Sequence, residues 1–233
     1  MRKIFLILSI TTFTVTTSMS NITRETAQDT QDTCLESIKN IIIPPISFYF
    51  VRHGQTDWNK EHKVMGQTDI PLNDTGIKQA QIVAQHIAHL DIVHIVSSPL
   101  KRTTQTAEII ANTINKPIVV VNELTECCMG IMEGQDKGDG AWFDNWMVGC
   151  NIDGAESWPD FVSRIAVSLN QVLTNHVDEK PILIVAHRPT FWALLSILNI
   201  QDDLNAENCD IYFFRPSDLD SQQWKVVALN CLE

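Results

Sequence analysis

The sequence is short of positive charge. Its 233 residues contain 17 Lys and Arg against 28 Asp and Glu, a formal net charge of −11. Nucleic acids and anionic membrane surfaces bind through clustered basic residues, so neither is expected as a partner. An acidic protein can bind a small anion only where a few basic side chains form a local positive pocket. Internal repeats and low-complexity blocks are also missing, and the hydrophobic content of 44% is that of an ordinary globular protein.

The cysteines lack the spacing of a metal site. The sequence has six of them, Cys34, Cys127, Cys128, Cys150, Cys209 and Cys231, and they follow no zinc-ligand pattern. The adjacent Cys127 and Cys128 cannot readily pair with each other. Two interpretations stay open. The C-terminal strands carry a Cys209–Cys231 bridge in an oxidising compartment, or most of the thiols are buried and free.

A long hydrophobic run is missing as well. Residues 1–20 begin with Arg2 and Lys3, continue with the apolar stretch Ile4–Ile10, and then become rich in Thr and Ser. The apolar part is too short for a comfortable membrane span of about 20 residues. The pattern predicts a cleaved signal peptide over 1–20 and export to the periplasm or the medium, with no stable membrane insertion after cleavage. A retained N-terminal anchor is the alternative. Residues 21–45 are polar and predict a flexible arm.

Strands and helices alternate over residues 46–233. The strongest apolar runs predict strands at Ser47–Val51, Ile92–Val96, Ile118–Val121, Pro181–Ala186, Ile211–Phe214 and Trp224–Leu229. Amphipathic helices are predicted between them, and Glu123–Trp158 is expected to be irregular. This alternation predicts one α/β domain with three layers, in which a mostly parallel central sheet has helices on both faces. Ligands bind beyond the carboxyl ends of the strands in such folds.

Polar side chains suited to phosphate chemistry follow the ends of these strands. In chain order they are Arg52, His53, Arg102, Glu126 and His187. Guanidinium groups match phosphate oxygens with two parallel hydrogen bonds and stay charged at any working pH. An imidazole can attack phosphorus, and a carboxyl group can protonate the leaving alcohol. The sequence therefore favours a phosphoryl-transfer site at this edge of the sheet.

Five segments in a fixed order carry a family resemblance. They are Arg52–Asn59, Gly66–Asn73 with Thr75–Gly76, Ser97–Ala107, Leu124–Glu126 with Gly130 and Glu133–Gly134, and Gly154–Ser157 with Arg164. Together they resemble the histidine phosphatase superfamily, in the branch that includes the cofactor-dependent phosphoglycerate mutases and related small phosphatases. The resemblance runs from Phe48 to about Leu229, nearly the whole predicted domain.

The resemblance implies a role for each matching residue. It makes His53 the nucleophile that takes the phosphoryl group and Glu126 the proton donor, and it assigns the phosphate oxygens to Arg52, Arg102 and His187. Asn59 either adds a phosphate contact or caps the turn after the first motif. The implied substrate is a small phosphorylated molecule. The implied mechanism needs no metal and no cofactor, because the basic side chains supply the positive charge.

The main departure from the family pattern is Arg188. The family normally has glycine after the histidine that corresponds to His187, and Arg188 either adds a third guanidinium to the site or points outward. The aromatic residues of the irregular region, Trp142, Phe143, Trp146 and Trp158, form a lid over the site or pack the loop onto the domain.

Phosphatase activity is favoured over mutase activity. The stretch between Glu133 and Gly154 is short and offers only Lys137 as a basic residue, whereas the mutases carry a longer insertion there. A member that binds phosphorylated ligands without turnover is the third hypothesis, and Arg188 is its only support.

Overall fold

The computed structural model describes residue 38 and residues 41–176, 180–202, 204–217 and 223–229. The predicted signal peptide, most of the predicted arm and one end of the Cys209–Cys231 bridge lie outside these ranges. Within the arm, Ile38, Ile41 and Ile43 pack against the hydrophobic core. The folded structure therefore begins before residue 46, because these isoleucines are apolar enough to be buried. Within the ranges described, no helix combines the length and apolar character needed to cross a membrane.

A six-stranded sheet forms the middle layer. Its strands are β1 Phe48–Arg52, β2 Ile95–Ser97, β3 Ile118–Val120, β4 Ile182–Ala186, β5 Ile211–Pro216 and β6 Trp224–Leu229. Their order across the sheet is β3-β2-β4-β1-β5-β6. The first four are parallel to one another, and β5 and β6 add an antiparallel edge. The predicted three-layer α/β fold with a mostly parallel sheet is thereby confirmed.

Helices cover both faces of this sheet. They are α1 Asp57–Lys60, α2 Asp74–Ile87, α3 Lys101–Ile114, α4 Ala141–Met147, α5 Trp158–Thr174 and α6 Arg188–Ile197. On strand β4, Leu183 and Val185 pack with α2 and α3 on one face, whereas Ile182 and Ile184 pack with α5 and α6 on the other. Side chains alternate between the two faces of a strand, so a central strand buried on both faces is apolar throughout.

Two local predictions differ from the structure. The second strand begins at Ile95 rather than Ile92, because a turn closes there with the N–H of Ile92 donating to the carbonyl of Leu90 at 2.9 Å. The region Glu123–Trp158, predicted to be irregular, contains the short helix α4. Gly140 precedes this helix with a φ of 81°, a left-handed conformation that glycine adopts without strain.

Candidate active site

The carboxyl ends of β1 and β4 bring two histidines together. Arg52 pairs with Ala186 in the parallel register of these strands, and the next residues along the chain are His53 and His187. The backbone N–H of His53 donates to the carbonyl of Ala186 at 3.0 Å. The centroids of the two imidazole rings lie 5.4 Å apart. The adjacent parallel strands therefore set the spacing of the pair.

The ring of His53 is oriented by its own loop. Its Nδ1 lies 2.8 Å from the carbonyl oxygen of Gly54, which can only accept a hydrogen bond. Nδ1 therefore carries the proton, and Nε2 keeps a free lone pair. Burial, together with the charges of Arg102 and Arg52, holds the pKa of His53 well below its usual range. A neutral imidazole with a free Nε2 can act as a nucleophile at neutral pH.

The loop after His53 is locked by a glycine pair. A Cβ on Gly54 would lie 2.5 Å from the carbonyl oxygen of Gly76, and a Cβ on Gly76 would lie 2.1 Å from that of Gln55. No real Cβ approaches a backbone oxygen so closely. The N-cap residue Asn73 fixes the first turn of α2 by accepting a hydrogen bond from the N–H of Gly76. The start of α2 thus holds the backbone on which His53 stands.

Arg52 is a buried cation with an unused donor. Its side chain is 4% exposed, and its NH1 donates to the carbonyl of Ala206 at 2.9 Å and lies 3.5 Å from Glu207 Oε2. Its Nε has no hydrogen-bond partner among the described residues. Burial and the nearby Arg188 lower the pKa of Arg52 to about 9. A buried donor left unsatisfied costs free energy, so this N–H favours an incoming oxygen.

Arg102 and His187 lie fully buried behind the nucleophile. Arg102 donates from NH1 to the carbonyl of Thr68 at 2.9 Å and from NH2 to that of Gly66 at 2.7 Å, and its Nε lies 3.4 Å from His187 Nδ1. The other ring nitrogen of His187 lies 2.8 Å from Ser98 Oγ. Burial and the charge of Arg102 hold the pKa of His187 well below its usual range. Arg102 therefore supplies a buried positive charge next to the nucleophile, and it holds the neutral ring of His187 in place.

Glu126 stands beside this pair with its carboxyl group on the pocket wall. Its Oε2 lies 3.8 Å from His187 Nδ1, and its Oε1 accepts from the N–H of Cys127 at 2.9 Å and from the Cys127 thiol at 3.4 Å. Burial raises the pKa of Glu126, against the lowering effect of Arg102. A buried carboxyl with a raised pKa is suited to donating a proton near neutral pH. The alternative acid Glu123 is exposed.

The third nearby acid, Glu133, holds a loop. Its Oε2 accepts from the backbone N–H of Thr68 at 3.0 Å and from the hydroxyl of Thr68 at 2.6 Å. Its Oε1 accepts from the backbone N–H of Gln67 at 2.9 Å and from that of Met129 at 3.1 Å. Two carbonyls of the same loop orient Arg102. Glu133 thus supports the arginine from a distance.

Replacing Glu133 by alanine is expected to loosen this support. The change removes the acceptor for three backbone donors and a hydroxyl, so the free energy of unfolding should fall by about 1–3 kcal/mol. Urea denaturation measures the effect, and Glu108→Ala, an exposed position on α3, is the matched control. Equal stability of the two variants would contradict the role assigned to Glu133.

Asn59 is engaged in a helix cap. It is the third residue of α1, and it forms a reciprocal capping box with Thr56. Its Oδ1 accepts from the backbone N–H of Thr56 at 3.1 Å and from Asn208 Nδ2 at 3.3 Å. Of the two predicted roles, the structure shows the capping one, and the phosphate contact stays a prediction. The same Asn208 donates to the carbonyl of His53 at 2.9 Å, which links the cap to the nucleophile loop.

A cavity of about 290 Å³ opens in front of these residues. Its basic and acidic lining includes Arg52, His53, Glu126, Lys137 and Arg188. The sequence left open whether the aromatic residues cover the site or pack the loop onto the domain, and the structure shows two of them at the cavity and two of them packed. Trp142 and Phe143 line the cavity, whereas Trp146 is 2% exposed and donates from Nε1 to the carbonyl of Glu156 at 2.8 Å. Trp158 packs edge-on against Trp146 with ring centroids 5.4 Å apart.

Arg188 contributes a second guanidinium to this cavity, beside that of Arg52. It is the first residue of α6, its Nε donates to the carbonyl of Ala206 at 3.1 Å, and its NH2 lies 2.6 Å from Glu207 Oε2. The interpretation of Arg188 as an outward-pointing residue is therefore wrong, because two acceptors hold the side chain against the wall. Sequence reasoning missed the segment 204–210 that supplies them, a polar turn without a recognisable pattern.

The comparisons with known proteins agree on a family. The sequence profile of the histidine phosphatase superfamily (branch 1) matches residues 48–231. A probable phosphoglycerate mutase, GpmB, of Proteus mirabilis is 34% identical over 179 residues, covering 71% of this chain and 83% of that protein. Its counterpart in Yersinia pestis gives the same identity and coverage.

Solved structures share the fold. A mycobacterial glucosyl-3-phosphoglycerate phosphatase complexed with VO3 superposes with a TM-score of 0.70 at 22% identity, covering 80% of this chain and all of that one (100%). The alpha-ribazole phosphatase of Shigella flexneri gives a TM-score of 0.68 at 20% identity, covering 79% of this chain and 96% of that one. The chain belongs to branch 1 of the histidine phosphatase superfamily, whose members are phosphatases or mutases.

Proposed function

We propose that this protein hydrolyses phosphate monoesters through a phosphohistidine on Nε2 of His53. The observation that carries the proposal is the orientation of this ring. The carbonyl of Gly54 occupies Nδ1, and Nε2 is left for attack at a cavity that Arg52 and His53 both line. The nucleophile His53 and the guanidinium group of Arg52 therefore line the same cavity.

The two chemical steps use the same residues in turn. Nε2 of His53 attacks phosphorus, the P–O bond to the alcohol breaks, and Glu126 gives its proton to the leaving oxygen. A water molecule then attacks the phosphohistidine while the Glu126 carboxylate takes its proton, which releases phosphate and restores the free enzyme. Arg52, Arg102 and His187 stabilise the charge on the phosphoryl oxygens. The two guanidinium groups supply the charge that a metal ion provides elsewhere, and the proposed mechanism is therefore metal-independent.

Hydrolysis rather than isomerisation is favoured by the short segment between Gly134 and Gly154. It contributes one basic residue, Lys137, to the cavity. The mutase alternative is favoured by the 34%-identical relatives, which are named probable phosphoglycerate mutases. Export through the N-terminal segment is part of the proposal and rests on the sequence pattern of residues 1–20 alone.

A product assay separates these activities. We expect the full chain, incubated with phosphoglycerate and with an aryl phosphate, to release inorganic phosphate from the aryl ester at a rate unchanged by a metal chelator. Formation of the isomeric phosphoglycerate without phosphate release would support the mutase. Absence of turnover with both substrates would support a non-catalytic phosphate-binding protein. Loss of activity with the chelator, restored by a divalent cation, would contradict metal independence.

A further inference from the structure

Two basic residues of the cavity are not used by the proposed reaction at the phosphoryl group. Beyond the nucleophile its wall carries Arg188 and Lys137 next to aromatic side chains. We propose that Arg188 and Lys137 bind a second anionic group on the substrate, so that the substrate is a phosphomonoester with an apolar, ring-sized body bearing a carboxylate or a second phosphate. The inference rests on the proposed function and names the substrate class of that site.

The chain's own carboxylate shows that an anionic oxygen fits here. Glu207 Oε2 lies 2.6 Å from Arg188 NH2 and 3.5 Å from Arg52 NH1, so one oxygen bridges two guanidinium groups. The side chain of Glu207 is 61% exposed, and its Oε1 accepts a hydrogen bond from Asn205 Nδ2 at 2.9 Å, so this carboxylate stays in contact with solvent when it leaves Arg188. A substrate anion can therefore take its place without an unpaired charge being left in the interior.

Lys137 adds a third cation to the same space. Burial, together with the charges of Arg52 and Arg188, lowers the pKa of Lys137 to about 8. Burial is the largest cause of this lowering, and the positive charges of Arg52 and Arg188 add to it. Two carboxylates, Asp139 and Asp144, also line the cavity, but both are exposed, and Asp139 accepts a hydrogen bond from the N–H of Ala141 at the start of α4. A bound anion would relieve the repulsion among the three cations.

The body of the substrate is indicated by the apolar part of the lining. This part consists of Val64, Met65, Met129, Trp142, Phe143, Pro189 and Trp192. The ring of Phe143 lies 5.2 Å from that of Trp192 and 5.5 Å from that of Trp142, measured between centroids. A cavity of about 290 Å³ is near the lower end of ligand pockets, which run from about 300 to 1,000 Å³. An aromatic ring can stack on such a wall.

Matched aryl phosphates test the second subsite. We compare kcat/KM for 4-carboxyphenyl phosphate with that for the neutral 4-carbamoylphenyl phosphate, in the wild type and in variants of the full chain. Differences in leaving group cancel when the ratio of the two substrates is compared between proteins. Arg188→Gln should lower the ratio of charged to neutral substrate about tenfold, and Lys137→Gln about threefold or more, since each removes a charged partner of the carboxylate. Lys78→Gln, an exposed position on α2, should leave the ratio unchanged.

A third ester and the neutral substrate separate the outcomes. 4-(Phosphonomethyl)phenyl phosphate carries a non-hydrolysable second phosphoryl group, and a larger drop with this ester than with the carboxylate assigns the subsite to a second phosphate. Turnover of the neutral ester reports that each variant is folded and active. An unchanged ratio in both Arg188→Gln and Lys137→Gln overturns the second-anion subsite and leaves the proposed function intact. Failure of the wild type to release phosphate from any of the three esters contradicts the proposed function instead.

Discussion

Replacing His53 by alanine is expected to lower turnover of an aryl phosphate by at least about 10³-fold and to abolish the phosphoenzyme. The variant loses the only imidazole that presents a free Nε2 to the cavity among the residues that line it. The arginines still bind the ester, so KM should change less than kcat. The residual rate reports what charge stabilisation achieves without a nucleophile.

The phosphoenzyme distinguishes a missing nucleophile from a damaged fold. Wild-type protein quenched in alkali during turnover should carry phosphate that survives alkali and is lost in acid, as a phosphorus–nitrogen bond requires. His89→Ala, at an exposed position just after α2, is the control and should behave as the wild type in both assays. Thermal unfolding of the two variants checks that His53→Ala remains folded. Residual activity of the variant within about tenfold of wild type would exclude His53 as the nucleophile.

Replacing Glu126 by glutamine is expected to slow the reaction by an amount that depends on the leaving group. With an alkyl phosphate, kcat/KM should fall about 10²–10⁴-fold, because an alkoxide leaves poorly without a proton donor. With p-nitrophenyl phosphate, kcat/KM should change little, since it reports only the steps up to release of a phenolate that needs no proton. The matched control is Glu123→Gln, an exposed carboxyl three residues earlier in the chain. A leaving-group effect in Glu123→Gln, and none in Glu126→Gln, would overturn the assignment of the acid.

The pH profile gives an independent view of the same carboxyl. Burial raises the pKa of Glu126, and the acid form is the active one in the first step. Activity toward the alkyl ester should therefore persist to higher pH than an ordinary carboxyl allows and then fall as the pH rises through that raised pKa. This fall in activity at high pH should be absent in Glu126→Gln. On the acid side, protonation of His53 lowers activity only at low pH, because the pKa of this imidazole is held well below its usual range.

The convergence of the polar residues followed from strand order. Parallel strands end at the same edge of a sheet, so Arg52, His53 and His187 were expected at one edge, and the pairing of β1 with β4 in the structure brings them together. Glu126 and Arg102 follow β3 and β2 in the same way. These placements depend on the backbone alone, and the periodicity of the sequence carries that information.

Side-chain partnerships were not predictable in the same way. The sequence left open whether Asn59 caps a turn or contacts phosphate, and whether Arg188 faces the site or solvent. The cap of Asn59 is formed locally with Thr56, and Asn208 adds a contact from far along the chain. The position of Arg188 was decided by the distant Glu207. Contacts with Asn208 and Glu207 depend on the position of the turn between α6 and β5 in the folded protein. No local pattern of residues encodes that position.

The contact between Gly54 and Gly76 has a consequence for how such an enzyme changes its substrate. The backbone of Gly76 fills the space that a side chain at Gly54 would need, and the backbone of Gln55 fills the space that a side chain at Gly76 would need, so a larger residue is not expected at either position. We therefore expect the backbone next to His53 to tolerate few substitutions. Arg188, Lys137 and Trp142 line the cavity, and their side chains can be exchanged there. During evolution or in a mutant library, the phosphohistidine chemistry should stay constant while the preferred ester changes. Libraries confined to Arg188, Lys137 and Trp142 should yield the most active variants.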